Sequence, residues 1–352
     1  MLPADLKLIA GPCSAESYEQ LRTVAQALDA VNLFAFRAGI WKPRTQPGAF
    51  EGAGDEALRW MRDIQEEFGL NVLTEVANST HVEKVLAHGF NMMWIGARTT
   101  SNPFSVQELA DSLQGTDATI LIKNPTNPDL KLWVGGIERL YKAGVKKVIA
   151  IHRGFSTYDK LKYRNLPNWQ IPIALRAEFP GLEIICDPSH ISGIANNVFE
   201  VSQKAIDLKF DGLMIEVHPN PAVAKTDAKQ QLTPREYLEL LAKLNVRSRE
   251  AIDQEEIREL RANISILDNQ VVELFAKRME LVEQIGHYKK RNNIAIFQPN
   301  QWEEALAKFL RLSEDAELSK EFAAEVFKLI HQESIDIQSK ILRNSDKGDS
   351  NP

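Results

Sequence analysis

Three observations predict an α/β chain folded as a (β/α)8 TIM barrel and followed by an all-α three-helix domain. Eight short apolar, β-branched runs recur in the first 218 residues, segments of helical periodicity separate them, and beyond residue 246 no strand-like run occurs. Strands of this length alternating with helices read as repeated βα units, hence as a parallel sheet covered on its outer face. Eight such units close into a barrel whose chemistry gathers at the C-terminal ends of the strands.

The runs end where that fold places a site. KLIAGPC ends at Cys13, FAFRAGIWK at Lys42, NVLTE at Glu75 and MMWIGAR at Arg98. TILIK ends at Lys123, VIAIHR at Arg153, LEIICDPSH in Asp187 and His190, and LMIEVH carries Glu216. Between them, helical periodicity marks segments near 17–30, 54–68, 79–89, 105–115, 132–144, 191–209 and 233–244. The barrel domain is assigned to 1–245, starting almost at Met1, and the charged stretch VRSREAIDQEE places a linker at 246–254.

The helical domain is assigned to 255–343. Apolar residues keep 3,4 spacing through Ile257, Leu260, Ile264, Leu267, Val271, Leu274, then position 278, Leu281, Ile285 and Tyr288, one long helix with a heptad seam. At ~1.5 Å per residue, 257–291 spans about 50 Å, too long for helices at 300–312 and 320–342 to cover. A second copy is expected to cover it, giving a homodimer through this domain; whether dimers pair further through the barrels stays open at this point. The tail NSDKGDSNP, 344–352, lacks apolar residues and reads as disordered.

A formal net charge of −6 excludes non-specific nucleic-acid binding, which needs a basic face. Two cysteines and no signal-like or membrane-spanning run point to the cytoplasm and to no membrane partner. Cys13, His190, Glu216 and Asp227 offer a thiolate, an imidazole and two carboxylates from strand ends and the loop after the eighth run. That mixed set suits a divalent first-row transition metal, Mn2+ or another, better than magnesium. Cys13 taken alone reads equally as a buried inert thiol, and Cys186 reads as an apolar filler.

Lys42, Arg44, Arg98, Lys123 and Arg153 are the second group, five strand-end cations in an acidic chain. Two Lys/Arg clusters with a metal between them would bind two phosphorylated substrates; ordinary surface ion pairs are the other reading. Arg37 lies in the second strand and, if buried, demands a carboxylate, for which Glu75 is the candidate. His81 and His88 read as surface residues. His152, beside Arg153, is expected in the site, and His218 faces the same side of its strand as Glu216.

GPCSAES at 11–17, KPRTQPGAFEG at 42–52, GARTTSN at 96–102, IKNP at 122–125, IHRGFS at 151–156, DPSH at 187–190 and IEVHPNP at 215–221 follow one another along the barrel. In that order they resemble 3-deoxy-D-arabino-heptulosonate 7-phosphate (DAHP) synthase of the compact microbial subfamily, which opens the shikimate pathway to the aromatic amino acids. The resemblance implies condensation of phosphoenolpyruvate with erythrose 4-phosphate and release of phosphate. It implies Cys13, His190, Glu216 and Asp227 as metal ligands, Arg98, Lys123 and Arg153 on phosphoenolpyruvate, and Lys42, Arg44 and Thr45 on erythrose 4-phosphate. Glu75 or a nearby Lys would assist proton transfer. The sister family that makes 3-deoxy-D-manno-octulosonate 8-phosphate shares the barrel but uses arabinose 5-phosphate; the KPRT run is similar to the four-carbon family's motif.

Position 278 of the seam is Arg, and Lys289 follows eleven residues later, about 20° away around the helix, so both cations share a face. Ser334 and Gln338 are four apart on the last helix and can face one ligand. Arg261 lies roughly 100° around from Arg278 and is expected to serve the other chain's site. The stretch LRANISILDNQVVELFAKRMELVEQIGHYK, with Ser334 and Gln338, resembles the all-helical chorismate mutases. By that resemblance the cations orient chorismate for rearrangement to prephenate, with Lys289 and Gln338 at the ether oxygen. The second helix departs from the pattern: Gln298, Gln301 and Trp302 stand where the family has Asp, Arg and Glu, which should weaken binding. A working mutase, a chorismate or prephenate sensor that inhibits the barrel, and a dimerising scaffold are the three readings, and the seam Arg278 argues against the last.

Overall fold

The computed structural model describes residues 2–3, 5–42, 48, 50–158, 161–247 and 255–343, apart from the side chains of 255 and 256. The expectations for Arg44, Thr45, most of the 246–254 linker and the 344–352 tail therefore fall outside the described residues. The chain divides into two compact units, Met1–Arg249 and Glu250–Pro352. No helix among the described residues is long and apolar enough to cross a membrane.

The first unit contains strands β1 (Lys7–Gly11), β2 (Ala35–Arg37), β3 (Val72–Val76), β4 (Met92–Ile95), β5 (Thr119–Lys123), β6 (Lys147–His152), β7 (Phe155–Ser156), β8 (Asn165–Leu166), β9 (Glu183–Cys186) and β10 (Gly212–Glu216). Eight of them form a closed parallel barrel in the order β1-β10-β9-β6-β5-β4-β3-β2, while β7 and β8 pair as a small antiparallel hairpin. Around the barrel run α1 (Tyr18–Ala27), α2 (Asp55–Phe68), α3 (Ser79–Ala87), α4 (Ala97–Thr100), α5 (Pro103–Ser112), α6 (Leu130–Lys142), α7 (Gln170–Glu178), α8 (Pro188–Ser192), α9 (Val198–Asp207) and α10 (Pro234–Lys243).

The helices begin where side chains can satisfy their first N–H groups. Ser17, Asn78 and Asp129 cap α1, α3 and α6, and Thr233 forms a reciprocal capping box with Glu236 on α10. The sequence reading foresaw neither the β7–β8 hairpin nor α7. QIPIALRAE carries Pro172 inside its first turn, and Trp169 at its start makes no side-chain cap, so the local start signals are missing.

Period-two alternation sorts the strand residues into two cores. Ile9, Ala35, Leu73, Met92, Trp94, Leu121, Ile149, Ile151, Ile185 and Met214 pack in one cluster inside the barrel, and their strand neighbours join the larger cluster beneath the helices. Two residues beyond Ala35, Leu73, Leu121, Ile185 and Met214, on the same inward side, come Arg37, Glu75, Lys123, Asp187 and Glu216. The apolar plug thus ends in a charged layer at the C-terminal mouth.

The second unit consists of α11 (Glu255–Arg291), α12 (Pro299–Asp315) and α13 (Lys320–Arg343), with α13 packed on both others. Its core is small: Val282, Ala323 and Phe327 are its buried apolar residues among those described. Every described apolar residue of the expected seam, from Ile257 and Leu260 to Ile285 and Tyr288, is exposed in the single chain, Leu274 by 63%. A run of bare leucines and isoleucines this long marks a surface built to be covered.

Candidate functional site

At the barrel mouth, two ion pairs buried at the strand ends set the frame. Arg37 is fully buried and places Nη2 3.1 Å from Glu216 Oε1, with a 3.4 Å hydrogen bond to the Cys13 carbonyl. Its partner is therefore Glu216 and not Glu75, because the barrel brings β2 and β10 to either side of β1. Lys123 Nζ lies 2.9 Å from Asp187 Oδ2. The Trp94 ring forms a floor beneath both cations, 4.9 Å from Arg37 and 5.6 Å from Lys123. Burial pushes the Asp187 carboxyl upward, but His190 and Lys123 outweigh it and hold it well below the usual carboxylate range.

Beside this frame, ligand atoms of Cys13, Glu216 and Asp227 lie within 4.8 Å of one another. Lys42 Nζ sits 3.2 Å from the Cys13 sulfur, and the sulfur is 3.4 Å from Asp227 Oδ2. His190 joins through Glu216: its Nε2 is 3.8 Å from Glu216 Oε1, while Nδ1 meets Asp187 Oδ1 at 2.9 Å. That is the carboxylate–imidazole pairing which fixes the ring of a metal-bound histidine. Burial, reinforced by Glu216, pushes the Cys13 thiol up to about 12. Glu216 Oε1 is buried and meets Arg37 Nη2 in the ion pair already described. A thiol and two carboxylates with ligand atoms within 4.8 Å of one another, and an imidazole beside them, fit a divalent cation, which would favour the thiolate and neutralise the acids.

A further set of residues anchors this cluster from behind. Gln230 Nε2 donates to Glu216 Oε2 at 2.7 Å, Gln231 Oε1 accepts from the Cys13 amide at 3.0 Å, and Arg164 bridges Asp227 and Gln230 at 3.0 and 2.9 Å. Gly96 leaves room for Glu75: a Cβ at that position would lie 2.0 Å from Glu75 Oε1. Gly39 does the same for Lys42, whose Nζ would be 2.7 Å from an added Cβ.

The cations expected to bind anions stand at the ends of the neighbouring strands. Arg153 donates from Nη1 to Asn165 Oδ1 at 2.8 Å, and its amide donates to Asn124 Oδ1 at 2.7 Å, so the IKNP asparagine fixes the end of β6. Burial, with Arg164 and Arg98 adding repulsion, lowers Arg153 to about 10. Arg98 lies on α4, exposed, one short helix beyond its strand. Arg164 and Asn165 reach this region on the β7–β8 hairpin, which explains why strand-end reasoning missed them. Asp187, Gln230 and Gln231 were also missed as partners; their pairings cross the barrel and leave no local sequence mark.

Two histidine expectations need correction. His152 alternates with Ile151 and so faces outward, sealed among Phe155, Trp169 and Phe210 at ring distances of 5.8, 5.2 and 6.0 Å. Burial pushes its imidazole down to about 3, which disfavours the imidazolium that a general acid would need at neutral pH. His81 is half-buried and stacks on Trp41 at 3.9 Å and 6°. His218 is buried on the Glu216 side of its strand end, with Nε2 3.8 Å from Glu16 Oε2.

In the helical unit, Arg278 Nη1 donates to Ser334 Oγ at 2.7 Å, and Lys289 Nζ donates to the Ile296 carbonyl at 2.6 Å. Gln338 is buried, its Nε2 bonded to the Ser334 carbonyl and its Oε1 without a partner. Arg261 is exposed. It stands 17 residues before Arg278 on one straight helix, about 25 Å away at ~1.5 Å per residue. Lys289 and Gln298 also line an open groove of about 520 Å³ with Leu281, Ile285 and Tyr288.

A closed parallel barrel with clustered acids, a thiol and basic side chains at its C-terminal mouth has the architecture of a barrel enzyme, and the chain carries besides it a helical unit with cations of its own. The sequence matches the DAHP synthetase I family over residues 4–253 and chorismate mutase type II over 260–339. It is 31% identical over 237 residues to a phospho-2-dehydro-3-deoxyheptonate aldolase of Thermotoga maritima, covering 67% of this chain and 68% of the relative. The crystal structure of a Thermotoga maritima protein of that name superposes with a TM-score of 0.62 at 30% identity, over 68% of each chain. A 2-dehydro-3-deoxyphosphooctonate aldolase of Rhodopseudomonas palustris is 27% identical over 263 residues, 68% of this chain and 86% of the relative. The chain belongs to the DAHP synthetase I family and carries a C-terminal chorismate mutase type II domain.

Proposed function

We propose that the barrel condenses phosphoenolpyruvate with erythrose 4-phosphate, using a divalent first-row transition metal such as Mn2+ held by Cys13, His190, Glu216 and Asp227. The observation that carries this reading is the meeting, in one mouth, of the Cys13–Glu216–Asp227 cluster with Lys42 and Lys123. The metal would supply Lewis acidity to polarise the aldehyde oxygen. Lys123, Arg98 and Arg153 hold the phosphate and carboxylate of phosphoenolpyruvate, and Lys42, Arg44 and Thr45 hold the sugar phosphate. As C3 of phosphoenolpyruvate bonds to the aldehyde carbon, positive charge develops at C2. Water adds there, and phosphate leaves with cleavage of its C–O bond. Glu75, held beside Gly96, balances that charge and takes the proton of the added water. Phosphate release by the metal-loaded protein tests the assignment. Release with erythrose 4-phosphate is expected; release with arabinose 5-phosphate alone would transfer the barrel to the sister activity.

The helical unit converts chorismate to prephenate and carries feedback inhibition by prephenate or chorismate to the barrel. Two chains associate through the bare seam of α11, and Arg261 of one chain serves the site of the other. The barrel can respond only if the ligand favours one arrangement of the assembly over another. Gln301 and Trp302 favour a second reading, a ligand sensor with weak or no turnover. Chorismate loss followed by ultraviolet absorbance separates the two, and an unchanged barrel rate at saturating prephenate would defeat the feedback role. Two unpaired cysteines, both buried, suit a reducing cytoplasm.

A further inference from the structure

Helix α13 carries a residue near the helical site that neither the sequence reading nor the mutase pattern assigned. His331, Ser334 and Gln338 follow 3,4 spacing and share a face, and Ser334 is the residue that Arg278 grips. The His331 ring is half-buried, lies nearly parallel to Phe327 (6.3 Å, 12°) and meets Phe297 and Trp302 at 6.2 Å each. Trp302 occupies the position where the family has a carboxylate, so α12 presents aromatic rings to the histidine. The charged groups that bear on it are Arg278 and Lys289 of α11, and its own helix adds Phe327.

We propose that His331 is part of the helical ligand site and takes up a proton when a dicarboxylate binds there, supplying the cation that Gln301 does not. The inference rests on the reading of this unit as a chorismate or prephenate site. Without ligand, burial and then the two neighbouring cations hold the imidazole below its ordinary value. A dianion seated on Arg278 and Lys289 cancels that repulsion and adds attraction, so the bound state favours the imidazolium. Linkage makes the effect reciprocal: the ligand that stabilises the protonated form is itself bound more tightly as pH falls.

The test is calorimetric titration of the full-length chain with prephenate in two buffers of different ionisation enthalpy. Net proton uptake is expected near pH 7, with Kd weaker by about two- to fivefold at pH 8.5 than at pH 6.5, as for an imidazole that the bound ligand raises by about one unit. His331→Gln should abolish the uptake and flatten the pH profile at the weaker value. His331→Phe, which keeps a ring against Phe327, repeats that test should the Gln variant fail to fold. His331→Lys should flatten the profile at the tighter value. Binding without uptake, or uptake that persists in both neutral variants, overturns the role of His331. Absence of any prephenate binding overturns the reading of the helical unit together with it.

Discussion

Arg37, Lys123 and Arg164 of the barrel each have a carboxylate within 3.1 Å, namely Glu216, Asp187 and Asp227, whereas Arg278 and Lys289 of the helical unit donate to a hydroxyl and a backbone carbonyl. Among the described residues neither of the two helical cations meets an acid. The difference separates two ways of building an anion site. The barrel balances its charges within the fold and presents a rigid cluster to which substrates add. The helical unit leaves these two cations without an acid and its apolar seam bare in the single chain; under the proposed function a ligand balances the first and a second chain covers the second.

Chelation should separate the two units most widely. With the metal stripped by a strong chelator, barrel turnover should fall by several kcal/mol of transition-state stabilisation, about 10³-fold or more. Chorismate rearrangement, which needs only orientation and fixed charge, should be unchanged in the same sample. Equal loss of both activities would mean that the units are not independent in their chemistry.

Next in size is Lys123→Met, which leaves Asp187 buried without its ammonium partner. Breaking such a pair costs about 3–5 kcal/mol, read as a lower urea midpoint for the barrel along with loss of phosphoenolpyruvate binding. Leu267→Glu tests the other half of the comparison. Leu267 is 58% exposed in the single chain, so the substitution should spare the folded monomer and split the proposed dimer. Each lost leucine would remove about 1.5–3 kcal/mol of association, visible as dissociation in sedimentation at micromolar protein. Smallest in stability is Arg278→Ala: the thermal midpoint should barely move, because no buried acid is orphaned. Prephenate binding should weaken by about 1.5–3 kcal/mol, the worth of a charged hydrogen bond. A large drop in the midpoint instead would show that Arg278 is structural.

How far the sequence could be read follows the same division. Each barrel strand announces itself by a short apolar run, and the residues that end those runs named Glu75, Lys123 and Glu216 as residues of the mouth. Those signals are local. Arg37 with Glu216, and Lys123 with Asp187, are pairings across the barrel, so the sequence reading gave Arg37 the wrong partner. His152 failed for a related reason: sitting next to Arg153 in sequence puts it on the opposite face of the strand. In the helices, spacing put Arg278 with Lys289 on one face and Ser334 with Gln338 on another, and the resemblance to the chorismate mutases joined the two pairs. It did not reveal His331, whose surroundings depend on where α12 lays Phe297 and Trp302.

Cys13, near the start of the chain, hydrogen-bonds through its amide to Gln231, 218 residues later, and β1 completes its pairing only when β10 arrives. The barrel mouth therefore does not exist in any shorter piece of the chain. Contacts this distant in sequence are slow to form, since a long loop must close before they stabilise anything. Recovery of condensing activity on refolding should track the closing step itself, whereas the three consecutive helices of the second unit, made of nearer neighbours, can regain structure earlier.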